Sequence, residues 1–450
     1  MKKFVVLLMV VAILVPMMPS AAQEDITLTM WTWKAFHMPG LEAVGEAFTA
    51  QTGINIEFEM TNPDDVYRQK VQTASQSGEL PDILAWWSGG TTWDLAASGL
   101  LLDITDQVDD AWASSFMPGT YENTSFWTQD QYDNCQADAE CMHTNLEAGQ
   151  VFGVPMAAGS SGIIFANKAM LEEAGLDPTM VPANTDEWLD MMTTVYEATG
   201  QGITIGGKFQ DIIRNWMVDD LALTNCGIEK YHAMYEGADD VSFTDECVVQ
   251  AAGFIGQIAE RGLWQPGFQT LTIDEADVSF TEEKAAFLVG GSYTLGFLIQ
   301  QGMDPENIHT FTLPALPTSL QNPIALAPFS LIDLHVTTQS DHPEEALAFI
   351  KFFTQPENMT TFAKITGDLP PVAVSTDPEV SGALLAGLAA SYSSQEPSFR
   401  AGWPPQTATE VYQAFELAIN RQVTGEGTLE DGLKAVDEAA AYARSLREGG

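Results

Sequence analysis

Strand-like and helical stretches alternate from residue 26 onward, and this alternation constrains the fold more than any other feature of the sequence. Ile26 to Thr32 alternates β-branched and apolar residues as a strand does, and Leu41, Val44 and Phe48 follow at helical spacing. Ile54 to Glu59 is a second strand, and Pro81-Asp82-Ile83-Leu84-Ala85-Trp86 is a third, buried one. Asp94 to Ser98 then begins a helix that Gly99 closes. Strands alternating with helices predict parallel pairing in an α/β layer, so a doubly wound sheet is expected for this part of the chain.

Further along, a polar stretch from Asp103 to Gly149 precedes a strand at Val151-Phe152-Gly153-Val154-Pro155. Gly159-Ser160-Ser161-Gly162 then breaks into Ile163-Ile164-Phe165, and this small segment is read as a first crossing between two lobes. Asn184-Thr185-Asp186-Glu187 starts a helix through Trp188, Met191, Met192 and Val195. Helices are also expected at Asp211 to Leu223 and Val248 to Glu260, and a strand at Ala286 to Val289. Pro314 and Pro317 bracket a second passage, and Leu326 to Thr337 is extended and apolar. His342-Pro343-Glu344-Glu345 opens a helix with proline in its first turn, and two more helices lie around Val411 to Asn420 and Leu429 to Leu446. The expected division gives residues 23–160 and 313–338 to one lobe, and 161–312 and 339–450 to the other, with three passages between them.

Residues 1–22 are set apart from the fold. Lys2 and Lys3 precede an apolar run from Phe4 to Val15, and Ser20-Ala21-Ala22 supplies the small residues of an export-signal cleavage site. The run is shorter than the roughly 20 residues a membrane helix needs. No cysteine lies near the cleavage site, so a lipid-anchoring cysteine is not expected, and the mature chain is expected in the periplasm or outside the cell. The four cysteines suit that oxidising setting. Of their three possible connectivities, the local pairs Cys135–Cys141 and Cys226–Cys247 are favoured. Neither spacing is that of a zinc ribbon, and no metal site is expected.

Composition narrows the partners. With 62 acidic and 18 basic side chains, the formal net charge is −44. Nucleic acid and anionic membranes are excluded as partners, because both need clustered Lys and Arg. The 45% hydrophobic content supports a large core. The tandem acids Asp64-Asp65, Asp109-Asp110, Asp219-Asp220 and Asp239-Asp240 are expected as solvated faces or helix starts.

The sequence has no G-x-S-x-G elbow, H-E-x-x-H or P-loop, and its six histidines are scattered. An enzyme is therefore not expected, although two of the many carboxylates could in principle serve a glycoside hydrolase. The eleven tryptophans are more informative. Trp31 and Trp33 follow the first strand, and Trp86 and Trp87 end the third, where open α/β sheets bind ligands. Flat rings there can stack on the C–H faces of a sugar. Trp31 and Trp86 suit core and cleft equally, whereas Trp33 and Trp87 are expected to face a cleft.

These segments resemble the extracellular solute-binding proteins of ABC importers, in the sugar-binding family that includes maltose-binding protein. The resemblance is carried by Leu28-Thr29-Met30-Trp31-Thr32-Trp33, by Gly78-Glu79-Leu80-Pro81-Asp82-Ile83 running into Trp86-Trp87, and by Phe152-Gly153-Val154-Pro155 with Phe165-Ala166-Asn167-Lys168. Ala174-Gly175-Leu176-Asp177-Pro178, Phe280 to Ala286 before Gly291-Ser292-Tyr293, and Thr366-Gly367-Asp368-Leu369-Pro370-Pro371 continue it across nearly the whole chain. It implies an α/β protein of the two-lobed type II architecture, each lobe a mixed, mainly parallel sheet flanked by helices, with a ligand cleft closed by hinge motion. It also implies a carbohydrate ligand, a membrane permease as partner, a monomer and no cofactor. A polyamine or sugar phosphate stands as the alternative solute.

Position by position, the resemblance places Trp33, Phe36 and His37 at the cleft, followed by Trp87, Ser88 and Gly89. From the second lobe it implicates Lys208, Phe209 and Gln210, then Arg214 and Trp216, with Tyr293 as an aromatic platform. Phe329 and Trp403 complete the candidates. Where maltose-binding protein carries charged hydroxyl-binding residues in its first loops, this chain has Ala35, Gly89 and Gly90.

Overall fold

The structure, a computed structural model, describes residues 26–117, 119–121, 125–137, 141–322, 324, 329–372, 377–382, 384, 386–387 and 409–449. The expected export signal and Trp403 lie outside the described residues.

Two sheets form the two lobes. The first contains β1 (Thr27–Thr32), β2 (Asn55–Met60), β3 (Ile83–Trp87) and β4 (Val154–Gly159). The second contains β5 (Ser161–Asn167), β6 (Ile203–Thr204), β7 (Phe287–Gly291) and β8 (Ile308–Thr312), and β9 (Phe329–Val336) returns to the first. Strand order is β2-β1-β3-β9-β4 in one sheet and β6-β7-β5-β8 in the other.

β1 shows the expected alternation, with Leu28 and Met30 wholly buried, and it pairs in parallel with β2 and β3 as the strand–helix alternation requires. β9 departs from that plan, running antiparallel between β3 and β4. In the second sheet β5 is antiparallel to both β7 and β8, and only β6 and β7 run parallel. In each sheet one strand, β9 or β5, runs against all the others, so the sheets are mixed and mainly parallel in strand direction, as expected. The reason is that strands arriving by an interlobe passage enter from the opposite direction.

The Pro81-Asp82-Ile83 segment acts through its carboxylate. Asp82 accepts from the Thr29 backbone N–H at 2.8 Å and hydroxyl at 2.9 Å, and from the Ser340 hydroxyl at 2.6 Å. It thereby ties β1, β3 and the end of the β9 passage together.

The two hydrophobic cores correct the expected lobe boundaries. Helices Pro343–Phe353 and Pro356–Thr366 pack into the first lobe, where Phe349 meets Phe48 and Phe353 meets Phe362. Assigning all of 339–450 to the second lobe was therefore wrong. Conversely, Leu313, Ala315, Leu316 and Ile324 lie in the second core although 313–338 were expected in the first. The apolar periodicity of a helix shows that one face is buried without showing which core receives it. The third passage consequently falls after Val372, which still belongs to the first core, and before helix Thr409–Thr424, which packs into the second.

Other features match the sequence reading more closely. Asn184 caps helix Thr185–Thr199 through its side chain, and Pro343 sits in the first turn of its helix. Both favoured disulfides are present, Cys135–Cys141 in the first lobe and Cys226–Cys247 in the second. The Asp211 to Leu223 region is broken into a short helix, a π-helical turn at Arg214–Val218 and helix Asp219–Cys226.

The lobes meet closely beside the passages. Gly159 ends β4 where a Cβ would lie 1.6 Å from the Ser292 hydroxyl, so only glycine fits there. Gly296, on helix Thr294–Gln300, packs on the Thr366 carbonyl and the Phe36 ring, bringing second-lobe backbone onto the first lobe.

Candidate functional site

A recess opens between the lobes beside this contact. Lys34, Ala35, Phe36 and Asn62 line it from the first lobe, and Asp274, Asp277, Tyr293, Phe297 and Gln300 from the second. Its cavity volume is about 20 Å³, room for about one water, so the lobes stand close together around it.

The first-lobe side is built from the ends of β1 and β3. After β1 the chain turns through Lys34 into a short 3-10 turn, Ala35–His37, and then helix Met38–Thr52. His37 is fully buried and its Nε2 lies 2.7 Å from Asp368, pinning this turn to the chain beyond helix Pro356–Thr366. Its role here is to hold Phe36, which reaches the recess.

The strand-end tryptophans are largely covered by the protein itself. Trp33 is 1% exposed and stacks on Trp87 at 3.9 Å and on Tyr67 at 5.3 Å, which corrects its expected exposure to the cleft. Trp87 is half-buried, with the Arg68 guanidinium 3.6 Å above its ring. Trp86 is core, and Trp31 lies under the Lys70 ammonium at 3.5 Å. Covering aromatic faces with cations both shields them and gains a cation–π attraction. Ser88 donates its hydroxyl to the Ser330 carbonyl of β9, and Gly89 takes a left-handed conformation that starts helix Gly90–Ala97.

The second-lobe side holds the acidic groups. Asp277 is 1% exposed, and its Oδ1 has no hydrogen-bond partner. Burial holds its carboxyl well above the usual range; nearby Asp274 adds to the rise, while Lys34 and Thr294 oppose it. Asp64, which begins helix Asp64–Ser77 across the recess, is also raised, first by burial; Lys34 pulls it down and Asp274 pushes it up. The Tyr293 hydroxyl is raised by burial and then by the charges of Asp277, Asp274, Asp64 and Asp368. The Lys34 ammonium lies 5.2 Å from the centre of the same ring.

Of the candidates from sequence, the recess thus brings together Phe36 and Tyr293. Lys208, Phe209 and Gln210 are exposed on the second lobe near Glu275. Arg214 is buried and pairs with Asp219, with Glu416 at 3.3 Å and with the Tyr412 ring at 4.8 Å, so its charge is spent within the lobe. Trp216 is 8% exposed on the π-helical turn behind β5, and Phe329 is half-buried at the start of β9 opposite Gly159. The sequence reading missed Lys34, Asp64, Arg68, Asp274 and Asp277. Asp219-Asp220, expected as a solvated face or a helix start, begins helix Asp219–Cys226 but is buried there, and Asp219 accepts from Tyr231 at 2.5 Å and Tyr235 at 3.1 Å. Asp65, Asp109, Asp110, Asp239 and Asp240 are exposed as expected.

Comparison with known proteins agrees with this architecture. Residues 37–360 match the model of the bacterial extracellular solute-binding protein family. A multiple sugar-binding protein of Streptococcus mutans is 26% identical over 235 residues, 50% of this chain and 52% of that protein, so the match spans about half the relative's length. An uncharacterized lipoprotein of Streptomyces antibioticus is 25% identical over 410 residues, 87% of this chain and 80% of that protein. The solved structure of maltose-bound T. maritima MalE3 superposes with a TM-score of 0.67 at 20% identity, covering 93% of this chain and all of that one, which establishes the two-lobed fold. Among the described residues no helix is long and apolar enough to cross a membrane. The chain belongs to the bacterial extracellular solute-binding protein family.

Proposed function

We propose that this protein is the substrate-binding component of a carbohydrate ABC importer, which captures a mono- or oligosaccharide between its lobes and delivers it to a membrane permease. The observation that carries this reading is the interlobe recess, where the half-buried Tyr293 ring stands beside the Asp277 carboxyl and the Lys34 ammonium. An aromatic face flanked by a carboxyl and an ammonium suits a sugar ring, which presents apolar C–H faces and a rim of hydroxyls. The sugar-binding name of the Streptococcus mutans relative supports the same solute class. A sugar phosphate fits poorly, because Lys34 is the cation among the lining residues and Asp274 lines the recess opposite it. The protein acts as a monomer outside the cytoplasmic membrane.

Thermal melts of the purified protein against a sugar panel test this. A true ligand at a hundred times its Kd should add about 2.7 kcal/mol of stability. Tyr293→Ala should remove most of that gain. A panel without a single stabilising sugar, or a ligand indifferent to Tyr293→Ala, would count against the reading.

A further inference from the structure

The recess between the lobes has room for about one water, and a sugar ring is many times larger. In this arrangement the lobes are shut past the point at which a solute fits, so the walls must part before one enters.

Helix Thr294–Gln300 decides what parts with them. Phe297 and Gln300 on this helix line the recess with Phe36 of the first lobe, and Gly296 on the same helix lies against first-lobe backbone. A Cβ at Gly296 would stand 2.5 Å from the Thr366 carbonyl oxygen and 3.3 Å from the Phe36 ring. From the other side, a Cβ at Gly367 would stand 3.2 Å from the Gly296 Cα, and Gly367 is left-handed where helix Pro356–Thr366 ends. Two glycines thus let the backbones of the lobes meet where a side chain would hold them apart. A short helix moves as one piece, so the recess wall and this contact open together. The Lys34 ammonium, 5.2 Å from the centre of the Tyr293 ring, adds an attraction across the same gap.

We propose that this arrangement is self-sealed: the Gly296–Gly367 contact and Lys34 hold the lobes shut against solute, and a sugar binds only those molecules in which the contact has parted. This rests on the carbohydrate reading above for the solute and adds the regulation of its site. The apparent affinity is the intrinsic one reduced by the parted fraction, so weakening the contact tightens binding. A receptor whose shut form were the binding form would respond with the opposite sign.

The test is small-angle X-ray scattering of the mature chain, beside thermal melts against the sugar panel. The wild type should scatter as the shut form. Gly296→Ala, which sets a methyl group against the Thr366 carbonyl, should shift the radius of gyration upward. Alanine forms helix better than glycine, so the helix itself is not weakened. Gly253→Ala on helix Glu246–Glu260 is the matched control, because a Cβ there meets nothing within 4 Å, and it should leave the radius unchanged. Lys34→Ala gives a second reading should Gly296→Ala fail to fold, and it should raise the radius by less. A sugar that stabilises the wild type should bind Gly296→Ala about tenfold tighter. A wild type that already scatters as a parted pair, a radius unchanged in both variants, or a sugar bound more weakly by Gly296→Ala would overturn the inference and leave the carbohydrate reading standing. A panel in which no sugar stabilises either protein would overturn the carbohydrate reading alone, and the scattering would still decide whether the lobes are sealed.

Discussion

On the first-lobe side of the cleft, Trp33 stacks on both Trp87 and Tyr67, and Arg68 lies over Trp87. On the second-lobe side, Tyr293 stands half-buried near Asp277, whose Oδ1 has no partner. One wall is aromatic and packed on itself, with the Trp33 Nε1 buried and unpartnered; the other presents a half-buried ring beside a buried carboxyl. The difference teaches that tryptophans at strand ends can serve packing, while the ring left half-buried between the lobes comes from a segment with no tryptophan at all.

Substituting the two aromatic anchors should expose this difference most strongly. Trp33→Ala empties a fully buried site and should cost about 3–5 kcal/mol in urea unfolding. Tyr293→Ala should cost less than half of that while abolishing ligand-induced stabilisation. Equal losses of stability would erase the distinction between a packing wall and a binding wall.

Strand β9, between β3 and β4, sharpens the comparison through pH. Burial pushes the Asp333 carboxyl up to about 7, against a smaller opposing effect of Ser330, and it pushes the His335 imidazole down to about 4, against the Phe152 carbonyl. Asp333 therefore contributes stability that is complete below its unfolded value near 4 and lost as pH rises to about 7. His335 contributes stability that is complete above its unfolded value near 6.5 and lost as pH falls toward 4. Their opposed slopes, up to about 4 and 3 kcal/mol respectively, offset each other in the native protein. Asp333→Asn should leave a protein that weakens on acidification from pH 7 to 4. His335→Gln should leave one that weakens as pH rises over the same interval. Melting curves of parallel slope for the two variants would contradict this assignment.

The two disulfides compare the lobes directly. Cys226–Cys247 spans 21 residues and Cys135–Cys141 spans 6, so loop-closure entropy assigns about 3 kcal/mol to the first and about 2 kcal/mol to the second. Serine pairs at each position, followed by denaturant unfolding, should reproduce that order. The smallest effect belongs to Arg68→Ala. Removing an exposed cation from Trp87 should cost about 0.5–1 kcal/mol and alter the tryptophan fluorescence. An unchanged spectrum would mean that Arg68 does not rest on that ring in solution.

The parts legible in the sequence are those set by local chemistry. The first strands, the Asn184 cap, the proline-led helix at Pro343 and both local disulfides follow from neighbours a few residues apart. What escaped depends on contacts between distant segments. Nothing local distinguishes the Pro343–Phe353 helix of the first core from a helix of the second. Asp219 looks like the exposed acids Asp109 and Asp239 until Tyr231, Tyr235 and Arg214 are seen around it. Asp277 lies in an ordinary helix, and only the fold brings it to Lys34 and Tyr293. A search for lone acids on apolar helix faces would have found it, since Ala276 and Phe280 beside it are fully buried.

The placement of β9 between β3 and β4 bears on how the chain can be made. Until residue 336 has emerged, β3 and β4 each keep a bare edge, an invitation to mispairing. The second core in turn waits for Val411, Phe415 and Ile419 near the far end of the chain. Neither lobe is a separable fragment. A polypeptide still leaving the ribosome can complete its first core once Val372 has emerged, while the second stays unfinished until the helices beyond residue 409 follow, so truncation between those points damages the second lobe and spares the first.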